Sequence, residues 1–138
     1  MGVTLSRAVA FRAMHRLHRP EWSEPENHRR FGWTAASPGH LHHYRCTVTV
    51  GGPLPEPLGM VMDLGLLDAI LAEEVVGRLD GRLLNADLPE FAAVLPTCEA
   101  IARDLFRRIA RRLPAGVTLV RVRIAEDATL HADCTGDA

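Results

Sequence analysis

From residue 40 to residue 51 the chain alternates so regularly that little other than a half-buried β-strand accommodates it. Tyr44, Cys46, Val48 and Val50 take one side, and Arg45, Thr47 and Thr49 the other, as successive strand side chains must. His40 and His42 share the apolar parity, so their imidazoles emerge together on the face that has to be covered. His43 emerges on the opposite face. Residues 5–17 repeat the pattern, with Val9, Phe11, Ala13, His15 and Leu17 on one side and Arg12 and Arg16 on the other. Paired as a hairpin, the two strands bring His15 to His40 and His42. Three neutral imidazoles with a fourth position open form the donor set of a catalytic zinc ion. Histidine pairs also occur in chains that bind nothing, so the spacing alone leaves both readings open.

The rest of the chain supplies what covers such a sheet. Residues 18–38, with Pro20, Pro25 and Pro38, several charges and both tryptophans, read as one long loop of the kind that carries function. Residues 63–79 place Leu66, Leu67, Ile70, Leu71 and Val75 in a helical stripe behind Asp63, a suitable N-cap. A second helix is expected over residues 98–113, with Ile101, Leu105, Ile109 and Leu113 on one side. Thr97 caps it, Pro96 bounds it, and Pro114 and Gly116 end it. Residues 117–126 form a strand in which Val120, Val122, Ile124 and Glu126 share a face, and residues 130–134 form a last short one. The order strand, strand, helix, helix, strand, strand defines an α+β fold in a single domain over residues 1–138. A sheet of four strands keeps unpaired edges, which favours assembly with further copies.

Composition narrows the function. A formal net charge of −1 offers no basic footprint for nucleic acid. No apolar run reaches the roughly 20 residues of a membrane helix. The first ten residues lack the apolar core of a signal peptide, so a cytoplasmic location is the expectation. Cys46, Cys98 and Cys134 are too scattered for a metal knuckle or a disulfide framework, and are expected as free thiols. A small-molecule substrate is the remaining class of partner.

Several segments together resemble the 6-pyruvoyl-tetrahydropterin synthase and 6-carboxytetrahydropterin synthase family. Phe31-Gly32 followed by Pro38-Gly39-His40-Leu41-His42-His43-Tyr44 is similar to its GHGHNY signature. Residues 11–17 are similar to its first histidine motif, and Glu26-Asn27 to its loop. Residues 59–64 match the entry to its first long helix, Leu79-Asp80 its LDH motif, and Pro96-Thr97-Cys98-Glu99 its PTxEN segment. Glu126 falls where the family closes a strand with glutamate. The resemblance implies a tunnelling fold: a four-stranded antiparallel sheet with two helices on one face, assembled as homo-trimers or homo-hexamers into a barrel. It implies Zn2+ on His15, His40 and His42, and a pterin ring held by Thr97, Glu99 and Glu126. A carboxylate suits the adjacent N–H donors of that ring.

The same resemblance exposes departures. In the family a cysteine serves as base, supported by a histidine and an aspartate. Here Thr34 stands at the cysteine's position, Gly81 at the histidine's, and Asp80 remains without its partner. A threonine hydroxyl is a much weaker base than a thiolate. His43 replaces an asparagine and is a candidate acid or base. His131 and Asp133 are further candidates on residue type alone, whereas His18 and His28 read as solvated. The expectation is therefore a zinc-dependent lyase-like enzyme with a diverged reaction: elimination, retro-aldol cleavage, hydration or cyclisation on a pterin-like or specialised small molecule. Catalytic roles fall to His43, Asp80 and Thr34. The alternatives are the ordinary synthase acting on dihydroneopterin triphosphate with a substituted base, and a catalytically silent zinc- or ligand-binding oligomer.

Overall fold

A computed structural model describes residues 2–136. Two thirteen-residue strands, β1 (Val3–His15) and β2 (His40–Gly52), pair antiparallel in an unbroken register from Val3 opposite Gly52 to His15 opposite His40. Between them lies α1 (Glu24–Phe31). Helix α2 (Leu64–Leu71) runs into a wider π-helical stretch at Ala72–Val76 and closes in the short α3 (Gly77–Leu79). The two-residue β3 (Arg82–Leu83) and α4 (Leu84–Asp87) lead to α5 (Cys98–Ala110), which is followed by β4 (Thr118–Ala125) and β5 (His131–Cys134). The sheet order is β3-β1-β2-β4-β5.

The alternation read from the sequence is what builds the core. Phe11, Ala13, Tyr44, Cys46, Val48, Val50, Val122 and Ile124 are buried on one sheet face. Leu67, Ile70, Leu71 and Val75 of the first long helical stretch and Ile101, Leu105 and Ile109 of α5 close over them. At roughly 1.5–3 kcal/mol for each large apolar side chain, this burial is the main stabilising force. Asp63 and Thr97 cap their helices as expected, accepting from the amides of Gly65 and Ala100.

Five expectations are corrected. The sheet has five strands, because Arg82 and Leu83 pair parallel with Ala13 and Met14 at the edge of β1. The stretch 18–38 is not all loop: Ser23 accepts from Glu26 N, Pro25 occupies the first turn where its missing N–H costs nothing, and residues 24–31 form a helix. β1 stops at His15, since the Leu17 amide leaves the ladder to donate to the Thr34 carbonyl at 2.9 Å. Val120 does not share the inner face. The register shifts between Thr49 and Val50, Val120 is bulged out at 39% exposure, and Leu119 is buried instead. The second helix ends at Ala110 rather than residue 113, ahead of Pro114.

Candidate active site

The ladder sets the first part of the site. His15 and His40 are direct partners across β1 and β2, and His42 lies two residues along on the same face. Ligand-capable atoms of the three rings all lie within 4.8 Å of one another. Ring centroids are 4.6 Å apart for His15–His40, 5.0 Å for His15–His42 and 4.8 Å for His40–His42. His15 is buried, and its Nδ1 lies 2.7 Å from the Pro96 carbonyl, so Nδ1–H donates there and Nε2 is left with its lone pair. Burial is the main cause that pushes His15 down to about 4, opposed by that hydrogen bond and aided by the two neighbouring imidazoles. His40 is lowered as well, first by burial and then by His42. Neutral rings with converging lone pairs are what a metal ion requires of imidazole. The donor set therefore fits a metal, with the Pro96 carbonyl fixing the tautomer of one ligand.

The second part comes from the opposite half of the chain. A cavity of about 250 Å³ joins the three histidines to Thr34, Thr97, Cys98, Glu99 and Glu126. Thr97 and Glu99 come from the first turn of α5 and Glu126 from the residue after β4. Glu126 Oε2 lies 3.5 Å from His42 Nε2 and accepts a long hydrogen bond from Cys98 Sγ at 3.8 Å. Thr34 Oγ1 donates to the Phe31 carbonyl at 2.5 Å, in the 3-10 turn Gly32–Ala35 that follows α1. The structure thus brings together His15, His40, His42, Thr34, Thr97, Glu99 and Glu126.

It does not bring in the other candidates within one chain. His43 sits opposite Arg12 on the far face of the sheet and is exposed, as its odd parity requires. Asp80 is also exposed and accepts from the Arg12 amide at 2.9 Å, fastening the turn into β3 to β1. His131 and Asp133 lie on the edge strand β5, where Asp133 receives two hydrogen bonds from Arg123 that hold its carboxyl below its usual range. His18 is not free in solvent, because its Nε2 meets Glu24 at 3.1 Å. His28 is exposed as expected.

One polar wall residue, Cys98, was missed in the sequence. Cys98 is 4% exposed and borders the cavity; only its place after the N-cap of α5 signals this. Burial first, then Glu126 and Glu99, push its thiol up to about 12, so it keeps its proton at neutral pH. Trp33 borders the same cavity beside His40, in the loop 33–37 that the sequence already sets beside the reacting end of a substrate.

A layered α+β chain whose cavity joins a histidine trio to two carboxylates has the makings of a small-molecule enzyme. A family model described as 6-pyruvoyl tetrahydropterin synthase matches residues 4–137, and the chain belongs to that family. It is 37% identical over 122 residues to 6-pyruvoyl tetrahydrobiopterin synthases from Homo sapiens and Pongo abelii, covering 88% of this chain and 83% of each relative. The solved structure of Caenorhabditis elegans 6-pyruvoyl tetrahydropterin synthase superposes with a TM-score of 0.90 at 31% identity, covering 98% of this chain and 96% of that one. The fold is the tunnelling fold, and the family is one of lyases. These relatives lend no support to a diverged reaction. They favour the ordinary synthase, the reading set second from the sequence.

Proposed function

We propose that this chain is a zinc-dependent 6-pyruvoyl-tetrahydropterin-synthase-type lyase that acts on the side chain of dihydroneopterin triphosphate. The observation that carries this reading is one cavity lined by all three imidazoles together with Glu99 and Glu126. When bound, zinc would polarise the oxygens of the substrate's chain and make the adjoining C–H more acidic. His15, His40 and His42 would hold it, and the Pro96 carbonyl keeps His15 in the tautomer that does so. Glu99 and Glu126 accept the N–H donors of the pterin ring, and Thr97 both caps α5 and borders the ring site. The Thr34 hydroxyl has committed its proton to Phe31, so it offers lone pairs to a substrate hydroxyl. Thr34 and Cys98 both remain protonated at neutral pH, and their role is to bind and orient rather than to abstract.

Incubation of the zinc-loaded protein with dihydroneopterin triphosphate, followed by release of inorganic triphosphate and the change in pterin absorbance, tests the reading. Steady turnover is expected. Tight binding of substrate without triphosphate release would overturn it in favour of a silent binding protein. Glu126→Gln keeps the shape but removes the charge-assisted bonds, and should weaken substrate binding roughly 10- to 100-fold.

A further inference from the structure

The two tryptophans are treated differently by the fold. Trp22 stacks on Phe31 at 5.9 Å and is covered by the guanidinium groups of Arg19 and Arg30 at 5.3 and 5.1 Å. Trp33 is 66% exposed, and its ring neighbour is His40, 4.8 Å away and tilted by 60°. An indole held open in this way leaves a large apolar face in water.

Its backbone is not free to fold the ring away. The Trp33 carbonyl accepts from Ala36 N at 3.0 Å, and the Thr34 carbonyl accepts from Leu17 N at 2.9 Å. The Ala35 carbonyl accepts twice from the Arg16 guanidinium, at 2.9 and 2.6 Å. Arg16 is anchored in turn by Glu24, and its backbone by both ends of the Asn85 side chain. The whole 3-10 turn is therefore clamped to the end of β1, and the indole is pre-organised at the cavity rim. Pre-organisation of this kind lowers the ordering cost of binding.

The position of the ring sets what it can touch. Glu126 approaches the histidine trio at His42, and Trp33 approaches it at His40. A ligand whose ring is held by the carboxylates must pass its chain across the trio toward Trp33. Leu17, whose amide bonds to the Thr34 carbonyl, continues the apolar wall on that side, and Leu130 lines the cavity at the Glu126 end. We propose that Trp33 is a specificity-determining residue whose indole packs on the carbon chain of the substrate, selecting dihydropterins that carry a chain over those that lack one. This rests on the reading of the site as a dihydropterin site.

The test compares two probes by calorimetry under anaerobic conditions, with the metal-free assembled protein: dihydroneopterin triphosphate and 6-methyl-7,8-dihydropterin. Trp33→Ala should weaken the first by about two- to tenfold, the range of an aromatic contact, and change the second by less than twofold. Trp33→Phe should restore most of the loss. Equal loss for both probes, or loss accompanied by a change in oligomeric state on gel filtration, would show that the indole supports structure or assembly and would overturn the proposal. No loss for either probe would overturn it too, while leaving the dihydropterin reading intact. Wild-type protein that binds neither probe would remove that reading and the inference with it.

Discussion

Replacing Gly39 by alanine probes how closely the two strand ends must approach to assemble the histidine trio. Gly39 has φ of +135°, and a Cβ built there would lie 2.8 Å from the His15 carbonyl oxygen and 3.0 Å from its carbonyl carbon. The backbone conformation alone costs an L-residue on the order of 1–3 kcal/mol. Relief of the contact requires β1 and β2 to part at the pair His15–His40, forfeiting about 1 kcal/mol of ladder hydrogen bonding. The expected loss is roughly 2–4 kcal/mol in urea unfolding followed by circular dichroism. Gly59→Ala is the matched control: φ is +63° and nothing lies within 4 Å of the added atom, so about 1 kcal/mol is expected. Displacing a ligand's backbone should also weaken zinc binding about 10- to 100-fold in competition with a chromophoric chelator. A Gly39→Ala protein within half a kcal/mol of wild type (a margin of about the usual surface-substitution scatter) and equal in zinc affinity would refute the packing argument.

Three further outcomes follow from the geometry. Metal analysis should find about one zinc per chain. His42→Ala should lose it, and His43→Ala, on the far face, should keep it. Asn27 is fully buried, accepts from Arg19 N and donates to the carbonyls of Arg19, Trp22 and Ser23. Asn27→Ala strands these groups and should cost about 2–4 kcal/mol, with faster hydrogen exchange across α1 and the following turn. Cys46 and Cys98 are pushed up to about 12 by burial, so thiol reagents at pH 8 should modify the partly exposed Cys134 first. The other two should react faster only as pH rises toward their own ionisation.

The histidine half of the site was legible because strand parity is a strict rule. The alternation through Tyr44, Cys46 and Val48 set the side on which His40 and His42 stand and put His43 on the other, so the catalytic role expected of His43 ran against the strand's own parity. The edges of the sheet were not legible. A two-residue strand such as Arg82–Leu83 has no periodicity to read, and the bulge at Val120 reverses parity without a glycine to announce it. Helix α1 was hidden by its composition: eight mostly polar residues containing a proline look like loop unless Ser23 is recognised as a cap. Cys98 was missed for another reason. It reaches the cavity through tertiary packing of the start of α5 against the distant segment that carries Thr34, His40 and His42, a relation no local pattern encodes.

The division of the cavity between β1–β2 and the α5–β4 segment has a consequence for how such a site changes over generations. The strand pair β1–β2 carries all three histidines of the cluster, while the carboxylates reside on a helix start and a strand end far along the chain. The two walls of the cavity therefore draw on separate stretches of sequence, and a substitution at Thr34 or Gly81 leaves the wall built by Thr97, Glu99 and Glu126 untouched.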